Sequence, residues 1–139
     1  SVADSVLLAH GAAISPGKPF ILAKAGDKCM MGLPGHVASA LICARVFLLP
    51  LLDRLHGRQQ EEFLPRVSAV LSRAVASAPG RRDFIRVRLE RTNNGYVAEP
   101  VLGPSGLVSG LVAADALVVC PENREGLYAG EQVEAELLL

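Results

Sequence analysis

Gly32-Leu33-Pro34-Gly35-His36 is the stretch of this chain whose residue types could do chemistry. It follows the apolar run Cys29-Met30-Met31, which reads as a strand. It opens the apolar segment from Val37 to Leu55, which reads as a helix. Such a turn leaves the first helical N–H groups without intrahelical partners, and those donors with the helix dipole favour an anion. Gly32 and Gly35 let the backbone bend sharply, or approach a ligand that a Cβ would hold off. Pro34 stiffens the turn, and Ser39, about one turn into the helix, adds a hydroxyl. The same residues equally suit a plain strand-to-helix connection. His36, Ser39 and Asp53 do not form a hydrolase triad, because Asp53 lies roughly four turns or more along the helix. Cys29, Cys43 and Cys120 include no C-x-x-C pair, and His10, His36 and His56 show no metal-ligand spacing.

The elements that must position this turn are short. Asp4 to Ala9 is expected as a small helix ended by His10-Gly11, and Ala12 to Ser15 as a strand. Pro16-Gly17-Lys18-Pro19 is excluded from regular structure, since two prolines bracket a glycine. Phe20 to Ala23, the turn Gly26-Asp27 and Lys28 to Met31 predict a hairpin leading into Gly32. The helix that follows is interrupted only by Ser39, Arg45, Asp53, Arg54 and His56, so most of its sides need cover. Pro50 predicts a kink near Val46, and Gly57 a stop. The preceding strands are too few to cover that helix, so this half is expected to be incomplete or to rely on a partner.

From Arg58 to Glu62 the composition turns charged, which places a boundary between 1–57 and 58–139. Beyond Pro65 the pattern alternates. Ile85, Val87 and Leu89 share one face, with Arg86 and Arg88 on the wet one. Asn94-Gly95 signals a type I′ hairpin, with Tyr96 to Glu99 returning. Leu117 to Cys120 is a strand ended by Pro121. Gln132 to Leu139 alternates with Val133, Ala135 and Leu137 inward, and Val67 to Val75 suits a strand or a helix. Short strands separated by turns predict a small β-barrel or sandwich.

The 14 Lys and Arg balance 14 Asp and Glu, which argues against a nucleic-acid partner. Aromatic rings for stacking bases are few, and Trp is absent. Ser1 to Asp4 lacks a basic leader, and the apolar runs Val37–Ala44 and Val46–Leu52 fall short of the roughly 18 residues of a membrane span. A soluble, cytoplasmic chain handling a small molecule is expected, with no membrane partner.

Two motifs carry a resemblance. Ile14-Ser15-Pro16-Gly17-Lys18-Pro19 and Gly32-Leu33-Pro34-Gly35-His36-Val37-Ala38-Ser39-Ala40 resemble the "KPGKP … GLPGNPVSA" signature of the molybdopterin molybdenumtransferases, the MoeA and gephyrin E-domain family. Gly80-Arg81-Arg82-Asp83-Phe84-Ile85-Arg86-Val87 resembles the stretch opening the family's barrel. Gly103 to Ser109, Ala114 to Leu117 and Gly130 to Glu134 resemble later motifs in the right order. Ser1-Val2-Ala3-Asp4 is similar to the tail of a "GG-x-S-V-G-D" loop.

The resemblance implies an α/β plus β fold class. Residues 1–57 would be the end-piece of a three-layer α/β molybdopterin-binding domain, and 58–139 a small β-barrel domain. It implies insertion of molybdate into adenylylated molybdopterin with release of AMP, with Mg2+ as cofactor and a homodimer in the full-length protein. Carried onto matching positions, Lys18 and Asp4 are catalytic. Gly17, Pro19, Gly32, Pro34, Gly35, His36, Ser39, Arg81 and Ser105 bind the cofactor substrate. Lys18 would place a cation beside the phosphate-binding amides, Arg81 would face the same cleft from the barrel mouth, and Ser105 would donate a hydroxyl. Read from their residue types alone, Lys18 and Arg81 also suit a solvated surface, and Asp4 a helix cap.

The chain departs from the motifs at four positions, one of them Ala3, where the "GG-x-S-V-G-D" loop has glycine. Ser15 stands where the family has the first lysine of "KPGKP", and His36-Val37 where it has Asn-Pro. The chain also lacks the family's earlier half with its acidic metal-site residues, so no catalysis is expected from it alone. A non-catalytic molybdopterin-binding or dimerisation module of the same fold is the alternative, and Ser15 favours it.

Overall fold

The computed structural model describes residues 5–58, 65–103 and 112–138. Its first part is an antiparallel sheet in which β3 (Ile21–Ala25) lies between β1 (Ser5–His10) and β4 (Lys28–Gly32). β3 and β4 form the hairpin expected around Gly26-Asp27. The helix expected over Asp4 to Ala9 is instead strand β1. Six residues cannot hold a helix unaided, whereas β3 offers a ladder from Ser5↔Ala25 to His10↔Ile21 that satisfies the backbone.

The apolar helix runs as α1 (Val37–Cys43), a wider π-type segment (Ala44–Leu48) and α2 (Leu49–Leu55). The cause of the widening is Pro50, which has no N–H for the Val46 carbonyl. The Leu49 amide meanwhile bonds the Ala44 carbonyl, five residues back. Gly57, at φ +70°, ends α2: its amide bonds the Arg54 carbonyl at 3.1 Å and the Arg58 amide bonds the Asp53 carbonyl at 2.9 Å. That is a Schellman closure, which needs a residue tolerant of positive φ.

The second part is a closed barrel of five strands. In order around it run β7 (Arg82–Thr92), β8 (Gly95–Pro100), β5 (Arg66–Leu71), β11 (Gln132–Leu137) and β9 (Ala116–Cys120), which returns to β7. β6 (Val75–Ala76) and β10 (Gly126–Leu127) pair as a small ribbon beside it. The interior of so small a barrel is narrow. Ala69, Ala98, Ala116 and Ala135 leave room there for Leu71, Val87 and Val118. The β7–β8 hairpin turns on Asn93-Asn94, one residue earlier than the Asn-Gly signal suggested. Gly95 is already paired with Thr92, at φ +120°.

A second core joins the two parts. Ile14, Phe20, Ile42 and Cys43 from the N-terminal part bury against Leu117, with Phe84 and Leu138 alongside, and Phe20 stacks on Phe47 at 4.2 Å. One ion-pair network spans the junction. Arg45 Nε donates to Glu136 Oε1 at 2.8 Å and Arg45 Nη2 to the Leu137 carbonyl at 3.0 Å, while Arg66 Nη2 donates to Glu136 Oε2 at 3.0 Å.

Burial pushes the Glu136 carboxyl up, but the donors of Arg45 and Arg66 outweigh it and hold it below the usual range. Glu131 is held at about 2, first by Arg124 and then by the Tyr128 amide. Both groups bind their proton more weakly folded than unfolded. Their stabilisation is therefore complete above the unfolded carboxylate value and is lost as pH falls through the folded ones. The thermal midpoint should fall as pH drops from about 5 to about 2. Glu136→Gln should cost about 1–3 kcal/mol at neutral pH and make that fall shallower. Calorimetric melts across pH check both.

Candidate functional site

A cleft of about 900 Å³ opens where the N-terminal part meets the barrel. Its position follows from β2 (Ile14–Ser15), which pairs in parallel with the start of β7, Ile14 beside Arg82 and Ser15 beside Asp83. One wall is the loop after β2. The Gly11 amide bonds the Phe20 carbonyl at 2.7 Å and the Ala12 amide the Lys18 carbonyl at 3.0 Å, closing the Pro16 to Pro19 segment. Gly17 is at φ +127°, and an added Cβ would lie 2.7 Å from Ile14 Cδ1 and 2.9 Å from Cys43 Sγ. The buried Cys43 thiol donates to the Gly17 carbonyl at 3.4 Å, and burial raises its pKa, so it stays a thiol. Lys18 and Pro19 are exposed on this wall.

Pro34, Gly35, His36 and Ser39 form a second wall. His36 is the extended N-cap of α1 and makes no side-chain capping bond. The first intrahelical bond runs from the Ala40 amide to the His36 carbonyl at 2.8 Å, so the amides of Val37 to Ser39 precede the helical ladder. Ser39 is buried against the cleft, and a Cβ on Gly35 would meet open space. Gly32 ends β4 away from the cleft, packed against Ile21, where an added Cβ would lie 3.2 Å from Ile21 Cβ and crowd it.

The barrel supplies the third wall through Gly80, Arg81, Asp83 and Arg86. Arg81 Nε lies 2.9 Å from Asp83 Oδ1 and its Nη2 donates to Oδ2 at 3.2 Å. Ser77 Oγ donates to Oδ2 at 2.8 Å. Sequence reasoning placed Arg86 on a wet face, and the structure corrects this. Arg86 is buried, because the chain after β8 folds over it. The Val101 amide bonds the Arg86 carbonyl at 2.8 Å, and Arg86 Nη2 donates to the Gly103 carbonyl at 2.9 Å. Two buried side-chain atoms among the described residues lack a hydrogen-bond partner, Asp83 Oδ1 and Arg86 Nη1, and both residues line the cleft. The close Arg81 Nε contact to Oδ1 is ionic but off-axis.

Of the positions singled out in sequence, Gly17, Lys18, Pro19, Pro34, Gly35, His36, Ser39 and Arg81 thus converge on one cleft, and Gly32 does not. Asp4 and Ser105 lie outside the described residues. Arg86 and Asp83 were missed as site residues. The signal lay in the motif Gly80 to Val87 itself, which contains both.

The sequence model of the MoeA C-terminal region (domain IV) matches residues 68–138. The chain belongs to this family. It is 33% identical over 126 residues to the molybdopterin molybdenumtransferase of Haemophilus influenzae, covering 89% of this chain and 31% of that protein. A putative molybdopterin biosynthesis protein of Methanocaldococcus jannaschii is 33% identical over 133 residues, covering 95% and 30%. Among solved structures, a molybdopterin biosynthesis MoeA protein of Pyrococcus horikoshii superposes with a TM-score of 0.76 at 40% identity, covering 94% of this chain and 32% of that one. A molybdenum cofactor biosynthesis protein of Pyrococcus furiosus gives 0.75 at 33% identity, covering 94% and 45%. The chain spans about a third of the length of the curated relatives it matches.

The two cleft glycines separate by cause. Gly17→Ala should destabilise the fold by about 1–3 kcal/mol through strain and overlap. Gly35→Val should keep the thermal midpoint within about 2 °C. Melting curves of both variants test the difference.

Proposed function

We propose that this chain supplies the anion-binding cleft of a molybdopterin molybdenumtransferase, the activity named for its relatives. The reaction would be insertion of molybdate into adenylylated molybdopterin with release of AMP, and molybdenum cofactor biosynthesis the process served. The observation that carries this reading is Arg86. Its guanidinium is buried at the cleft with Nη1 unpartnered among the described residues, a cost that an oxyanion or phosphate oxygen would relieve. Lys18 across the cleft adds a mobile cation, and the amides before Ala40 add neutral donors. The cleft volume suits a cofactor-sized ligand. Residues 1–57 would belong to the molybdopterin-binding domain and 58–139 to the barrel domain, with a homodimer in the whole protein.

For the Mg2+ that the family resemblance implies, no group of three or more His, Cys, Asp or Glu among the described residues could serve as ligands. Nor is any helix among them long and apolar enough to cross a membrane.

Ser15 supports a second reading, a non-catalytic molybdopterin-binding or dimerisation module. It lines the cleft beside Asp83 but brings no charge where the family motif has lysine.

The whole gene should restore molybdenum-enzyme activity to cells lacking the transferase. Molybdopterin binding without restoration would favour the second reading. Arg86→Lys keeps the charge but loses the planar fork, and should weaken molybdate or AMP binding about tenfold by calorimetry. Unchanged affinity would refute the role given to Arg86.

A further inference from the structure

Asp83 is an acidic side chain buried on the wall of a cleft whose other charges are cationic, which calls for a reason. Its backbone is pinned between two strands, paired with Ser15 of β2 and Cys120 of β9. Its carboxylate cannot serve a ligand directly. Oδ2 already accepts from Ser77 Oγ and Arg81 Nη2, and Oδ1 is fully buried beside Arg81 Nε. What it does is grip one side of a guanidinium.

The grip is side-on: Nη2 donates to Oδ2, while Nε sits 2.9 Å from Oδ1 as an ionic contact without a hydrogen bond. A guanidinium has five N–H donors in a rigid plane. That pairing leaves one N–H of Nη1 and the second of Nη2 parallel along the outer edge. Arg81 lines the cleft and its side chain is 46% exposed, so that edge is accessible. A solvated arginine would have to give up rotamer freedom on binding an anion, whereas one already held has less to lose.

We propose that Asp83 and Ser77 are positioning residues, which hold the Arg81 guanidinium side-on so that its outer edge takes an oxyanion oxygen in the cleft. Ser77 lies just before the turn that ends at Gly80. Its hydroxyl fixes the carboxylate plane, and the carboxylate plane fixes the arginine. Arg81 and Arg86 then approach the same cleft with one set of donors each, from the two ends of the Arg81 to Arg86 stretch. This rests on the proposed oxyanion-binding function.

The test is a double-mutant cycle on the full chain, with inorganic molybdate as calorimetric probe and barrel amide spectra as the control for folding. Asp83→Asn keeps the shape and removes the charge. It should weaken molybdate binding about tenfold in the native background and less than about twofold in an Arg81→Ala background. Ser77→Ala, a milder change, should show a loss of about two- to threefold with the same dependence on Arg81. Equal losses in both backgrounds, or none, would overturn the assignment.

A second readout needs no ligand. The Arg81 Nη2–H resonance, whose hydrogen bond to Oδ2 the carboxylate supplies, should exchange with solvent severalfold more slowly in the native chain than in Asp83→Asn. Equal exchange in the two would overturn the positioning role. If the native chain binds neither molybdate nor AMP, the proposed function falls, and the Arg81 exchange rate alone decides the positioning.

Discussion

The parallel contact of two residues, Ile14 and Ser15, with the start of β7 is the constraint on which the cleft depends. By itself so short a ladder is worth little. It holds because the second core packs behind it, with Ile14, Phe20, Ile42 and Cys43 closing on Leu117 and Phe84. The Arg45 to Glu136 ion pair fixes the far side of the same junction. Three kinds of interaction thus set one angle between the hairpin-and-helix part and the barrel. The loop carrying Lys18 faces Arg81, just before β7, and Arg86, on β7, as a result.

Within the cleft, glycine does two different jobs. At Gly17 the backbone is at positive φ and lies on Ile14 and Cys43, so the absent side chain is demanded by the protein itself. At Gly35 nothing among the described residues occupies the space a Cβ would fill. On the proposed reading, that open space at the cleft is where a ligand would approach the backbone.

Much of this was legible in the sequence. Hairpin, apolar helix, glycine stop and barrel strands all follow from periodicity and turn residues, and the loop and turn residues of the cleft from their motifs. What failed was local reasoning about segments whose fate is set by distant partners. Ser5 to His10 carries no strong preference and became a strand because β3 stood beside it. Arg86 obeys strict alternation, and alternation put it outside the barrel. No pattern within β7 shows that Val101 to Gly103 will cover that outer face. Pro50 was read correctly as a disturbance, but a wider turn absorbs the lost bond without ending the helix.

The chain has no net charge, yet its cleft suits an anion. The two facts are compatible because affinity depends on where charges are partnered rather than on their sum. Arg82, Arg124, Arg66 and Arg45 are matched to Glu122, Glu131 and Glu136 on the barrel surface and at the junction, and contribute little field beyond their partners. Among the described residues, Arg86 is matched to one carbonyl, on one nitrogen, and Arg81 on one side. Both sit where water is partly excluded, so each remaining N–H bonds more strongly than it would in solvent. A lysine in either place would supply the charge without the fixed planar edge that the proposed oxyanion binding uses.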